Sequence, residues 1–84
     1  FLSGDQVDVM FDLPDGTAAV IEIETINPLP GIHQAIKYRA LLETERGYRL
    51  CSGKVEAVVV AHGFDRDSRA LAKRYGIRLV EMRA

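Results

Sequence analysis

The sequence predicts a single α/β domain of element order ββαβαβ on a mixed sheet, and three observations carry that expectation. Two β-type stretches near the start are joined by turn residues, two helix-type stretches each end at a glycine, and the apolar run between the helices, "KVEAVVVA" at residues 54–61, is almost unbroken. A strand that is apolar on both faces marks a buried parallel position, and strands alternating with helices build an α/β sheet with right-handed crossovers. The 84 residues suffice for one core.

The elements follow in order. Residues 7–12, "VDVMFD", alternate with the period of a half-buried strand, Val7, Val9 and Phe11 on one side and Asp8, Met10 and Asp12 on the other. Pro14-Asp15-Gly16 is turn chemistry: proline pre-sets φ, aspartate tolerates turn geometry and glycine supplies positive φ. "TAAVIEIET" then reads as the second strand of a hairpin, with Ile21, Ile23 and Thr25 on one face and Val20, Glu22 and Glu24 on the other. The two prolines of "INPLPG" predict a loop, and a helix is expected from about Ile32 to Arg46, closed by Gly47. After the apolar strand, Asp65 or Asp67 is placed to cap a second helix running to Tyr75, with Gly76 ending it and "IRLVEM" as the last strand.

Composition excludes several classes. No apolar run approaches the roughly 20 residues of a membrane span, no signal peptide is expected, and the lone Cys51 rules out an internal disulfide. A cytoplasmic location is expected on that basis. His33 and His62 lack the spacing of a zinc site, and Cys51 is expected to be a small, half-buried residue. Because the chain begins with Phe1 rather than Met, it reads as part of a longer protein. The net charge of −1 conceals an acidic first half: residues 1–36 hold six acids and no Lys or Arg, and residues 37–84 hold all 11 bases against the other six acids. Such a split suits a cation site beside a bound polyanion; equally, folding mixes surface charge regardless of sequence order.

Hairpin parity brings the acids together. With the turn centred on Asp15, facing positions sum to thirty, so Val9 meets Ile21 and Asp8 meets Glu22. Like charges opposed across a hairpin are destabilising. A hard cation such as Mg²⁺ reverses the sign, and carboxylate oxygens are its preferred protein ligands. The alternative is a solvated strand face on which acids merely discourage aggregation. On the following helix, Gln34, Lys37, Tyr38 and Leu41 fall within roughly one 100° sector, which can set an amide, a cation and a phenol beside the acids. The competing assignment makes Tyr38 and Leu41 core and lets Lys37 reach solvent.

In this order and spacing, "GDQVDV" with Asp8, "EIE" with Glu22 and Glu24, and "QAIKY" from Gln34 to Tyr38 resemble the PD-(D/E)XK nuclease superfamily, the restriction-endonuclease-like fold, and within it the RecB-like branch with its Gln-x-x-x-Tyr motif. The likeness covers residues 4–42 by motif and the remainder by element order. It implies a restriction-endonuclease-like α/β domain in which Asp8, Glu22 and Glu24 hold Mg²⁺ or Mn²⁺ and Gln34, Lys37 and Tyr38 support the site and contact DNA. The activity implied is metal-assisted phosphodiester hydrolysis in repair, defence or recombination, with Asp8, Glu22, Glu24 and Lys37 as the catalytic set.

Two departures stand out. Glu24 occupies the position where the superfamily carries lysine, so Lys37 supplies the cation from the helix, Glu24 acts as third ligand or base, or the site is inactive. The superfamily core also has a helix and a strand before the Asp-bearing strand, which a longer parent chain or a second subunit would provide. Two further readings therefore remain beside the nuclease: an inactive domain of the same fold serving nucleic-acid binding or assembly, and an unrelated α/β interaction domain.

Overall fold

The computed structural model describes residues 9–24 and 27–83. Its elements are β1 (Val9–Asp12), β2 (Ala18–Glu24), α1 (Pro28–Glu45), β3 (Val55–Ala61), α2 (Arg66–Tyr75) and β4 (Arg78–Glu81), in the expected ββαβαβ order. The sheet runs β1-β2-β3-β4. β1 is antiparallel to β2, whereas β2, β3 and β4 are mutually parallel.

The hairpin has the register that parity requires, with Val9 facing Ile21, Met10 facing Val20, Phe11 facing Ala19 and Asp12 facing Ala18. Gly16 takes φ +89 in the turn, and Asp15 accepts from the backbone N–H (3.0 Å) and hydroxyl of Thr17. Those bonds hold the Asp15 carboxyl below its ordinary pKa, the Thr17 hydroxyl being the main cause.

Both helices pack on one face of the sheet. Ala18, Val20, Val55, Ala57 and Val59, alternate residues of β2 and β3, join Ile32, Ala35 and Leu42 of α1 and Ala72 of α2 in one buried cluster. On the other face, Val9, Phe11, Ile23 and Val80 are exposed among the described residues. The acidic and basic halves do meet in space: Arg46, at the end of α1, pairs with Asp12 of β1, which raises the Arg46 pKa.

Three expectations change. Helix α1 begins at Pro28, so the segment read as a loop is its first turn. The first four N–H groups of a helix have no intrahelical acceptor, so Pro28 and Pro30 forfeit nothing there, and the Asn27 side chain caps by accepting from Leu29 N (3.2 Å). Cys51 is exposed, with φ 57, rather than half-buried, because it sits in the tight loop between α1 and β3. Glu22 is not on a solvated strand face, since α1 covers that side of β2 and leaves the residue 4% exposed. Among the described residues, no helix is long and apolar enough to cross a membrane.

Candidate metal and nucleic-acid site

The carboxyl end of β2 carries the acids. Glu22 pairs with Val59 and Glu24 with Ala61 in the parallel ladder, so both side chains leave β2 on the side that α1 covers, beside the end of β3. In open α/β sheets the crevice outside the carboxyl ends of parallel strands is the usual place for ligands. The Glu24 side chain lies against Gly31 in α1, close enough to occupy the space of a side chain there. The N-terminus of α2 stands at the same end, capped by Asp65, whose carboxylate accepts from Ser68 N at 2.7 Å.

Helix α1 divides the Gln-x-x-x-Tyr segment between two environments. Tyr38 is 5% exposed and packs inward, whereas Gln34 and Lys37 are exposed. The Lys37 ammonium stands over the Tyr38 ring, 5.4 Å from its centroid, a cation–π arrangement that fixes the amine near the buried phenol. Lys37 thus lies on the exposed side of α1 and Tyr38 on its buried side. Asp8 lies outside the described residues. Among the described residues no group of three His, Cys, Asp or Glu side chains is gathered in metal-binding fashion.

The opposite end of the sheet has a different character. A cavity of about 410 Å³ is lined by Arg39, Cys51, Gly53, Val55, Glu56, Tyr75 and Gly76. Val55 pairs with Ala18 at the start of β2, so this cavity is separated from Glu24 by the length of the strand. Sequence reading missed the buried Arg39 and Glu43, disguised by the surface habit of charged residues, and the contact of Gly31 with Glu24. A helical glycine just after two prolines was the available signal for that contact.

No protein-family model and no curated protein matches the sequence. Solved structures do resemble the fold. A repair endonuclease from Pyrococcus abyssi superposes with a TM-score of 0.75 at 25% identity, over 90% of this chain and 32% of that one. EndoMS bound to double-stranded DNA matches with 0.75 at 23% identity, over 90% and 30%, and apo EndoMS with 0.73 at 21%, over 89% and 31%. The fold is therefore that of restriction-endonuclease-like repair nucleases, and this chain spans about a third of the length of those neighbours.

Proposed function

We propose that this chain is the core of a divalent-metal-dependent DNA endonuclease of repair, defence or recombination type. The observation that carries the reading is the Glu22 carboxylate, 4% exposed on the helix-covered side of a parallel strand and followed two residues later by Glu24. A carboxylate buried at the carboxyl end of a parallel strand stands at the crevice where open α/β sheets bind their ligands. The donor set fits Mg²⁺ or Mn²⁺, which take hard carboxylate oxygens, with Glu22, Glu24 and Asp8 as the residues that would hold the ion. When bound, such an ion lowers the pKa of a coordinated water and offsets charge developing on the phosphate.

The chain's own residues supply the rest. Glu22 is held by the ladder with α1 above it; the exposure of Gln34 and Lys37 on α1 supports their contact with the DNA backbone, and the burial of Tyr38 supports a bracing role beneath them. Fold neighbours that include a DNA-bound endonuclease support DNA as the substrate. The open apolar face and the threefold greater length of the neighbours support a longer parent chain completing the core. A second reading, an inactive nucleic-acid-binding domain, is favoured by Glu24 standing where the superfamily carries lysine.

Melting temperature against Mn²⁺ concentration and cleavage of duplex DNA test this together. The wild type should be stabilised by roughly 2.7 kcal/mol at a hundredfold excess over Kd, with no response in Glu22→Gln. Cleavage should fall about 10²-fold or more in Glu22→Gln, and likewise in Lys37→Ala if its ammonium stabilises the transition state. Cleavage that survives Lys37→Ala but vanishes in Glu24→Gln transfers that role to Glu24. DNA binding without a metal response or cleavage establishes the inactive domain.

A further inference from the structure

Gly31 is buried in the early part of α1 and is not one of the glycines with positive φ, which are Gly16, Gly47, Gly53 and Gly76. Its backbone is ordinary helix, a conformation that alanine adopts more favourably. Conformation therefore gives no reason for glycine here. Space does. A Cβ at position 31 would stand 2.8 Å from Oε1 and 2.9 Å from Cδ of Glu24, and would overlap its Cγ outright. All three atoms belong to one side chain. Glycines 16, 47, 53 and 63 have nothing within 4 Å of the same position.

We propose that Gly31 is a positioning residue for Glu24: its missing side chain opens the seat in which the Glu24 carboxyl lies across the start of α1. The inference rests on the reading of Glu24 as a site residue and deepens it. The seat suits an anion. Helix N-termini favour negative charge and disfavour ammonium groups, and α1 has no acid of its own in its first turn, so Glu24 supplies one from the neighbouring strand. A lysine following the same path would bring its charge to the positive end of the helix. Position 24 is thereby matched to glutamate, which accounts for its departure from the lysine of the resembling superfamily. Glu22 is fixed by burial and Glu24 by the gap at Gly31, so both carboxylates are placed before any ion arrives.

The atoms that a Cβ would displace lie in a flexible side chain rather than in backbone. Gly31→Ala should consequently keep the fold and swing the Glu24 side chain from Cγ outward, carrying the carboxylate with it, because Cγ is the atom nearest the added methyl. In metal-free wild type, an NOE between the Glu24 γ-protons and the Gly31 α-protons is expected, and its absence overturns the seat. In Gly31→Ala the melting temperature should stay level or rise while Mn²⁺ affinity falls about tenfold or more, the scale seen when a ligand loses the group that orients it. A lowered melting temperature with unchanged Mn²⁺ affinity would instead make Gly31 a packing residue and reject the proposal. The Glu24→Ala background supplies the check on mechanism: adding Gly31→Ala there should not weaken Mn²⁺ binding further, and a second tenfold loss overturns the assignment. If the wild type shows the NOE but binds no Mn²⁺, the seat stands and the metal reading falls.

Discussion

The two helices of this small protein follow opposite rules. Helix α2 follows the local chemistry of a helix at both ends: Asp65 caps its start, Asp67 lies in its first turn, Lys73 and Arg74 lie in its last, and Gly76 ends it with φ 67. Asp67, Lys73 and Arg74 complement the helix dipole, and Arg66 at the first position is the exception. Helix α1 carries two prolines and a glycine near its start, lacks acids in its first turn and bases in its last, and buries both Arg39 and Glu43. Its two ends are nonetheless conventional: Asn27 caps the start, and at the C-terminus Gly47 N bonds Thr44 O and Tyr48 N bonds Glu43 O in a Schellman arrangement. Locally inconsistent segments concentrate at functional sites, and α1 is the helix that covers the acids of β2. Helix α2 is held by its own sequence, whereas α1 is held by what it touches.

The largest effect should come from the side chain that ties one helix to the other. Arg39 of α1 is 7% exposed and donates through Nη2 to Tyr75 O at 2.7 Å and to the Cys51 thiol at 3.6 Å, and through Nη1 to Gly76 O at 3.4 Å. It thus satisfies carbonyls at the C-terminus of α2, where a cation is also favoured by the dipole. Arg39→Leu should cost about 2–3 kcal/mol, because charge-assisted bonds are lost and carbonyls are left unpaired. For a domain of this size that is a fall in melting temperature of roughly 10 °C or more, measured by calorimetry. A fall of only a degree or two would show that α2 is closed by Gly76 alone.

A smaller effect of opposite sign is expected one turn further along. Glu43 is 1% exposed, and neither carboxylate oxygen has a hydrogen-bond partner among the described residues. Replacing an uncompensated buried carboxylate by an apolar side chain of similar volume removes a desolvation penalty. Glu43→Leu should raise stability by about 1 kcal/mol in urea denaturation, with the m-value unchanged. Destabilisation would mean that the Glu43 charge offsets that of Arg39 across one helical turn.

These two residues also mark where sequence reading reached its limit. The hairpin register was legible because a period of two and a Pro-Asp-Gly turn leave one pairing, and β3 was legible because an apolar run leaves a parallel interior position. Helix α2 announced both of its ends. The start of α1 was not legible, since proline is read as a breaker although in the first turn it removes only N–H groups that lack acceptors. Arg39 and Glu43 were missed because charged residues ordinarily face water, and no local pattern reveals that a helix lies flat enough to bury them. At the candidate site, alternation placed Glu22 and Glu24 on one side of β2. Which side α1 would cover depended on a crossover that alternation does not encode, and the Gly31 contact depended on where that crossover begins.

The smallest effect separates the helices by their caps. Asp65 accepts from Ser68 N, which favours its ionised form and holds its pKa below the ordinary value, whereas the α1 cap, Asn27, does not titrate. A carboxyl whose folded pKa is depressed contributes stability that is fully present above the unfolded pKa, about 3.9, and is lost as pH falls through the folded value. Asp15 shifts in the same direction and adds to the trend. Asp65→Asn keeps a capping acceptor but has no charge to lose. The wild type should therefore melt slightly above Asp65→Asn at pH 7, and the difference should close as pH is lowered below about 4, because only the wild-type cap is protonated there. Parallel melting curves for the two proteins from pH 7 to pH 3 would show that the α2 cap does not depend on its charge, and that the helices differ in what they bury rather than in how they begin.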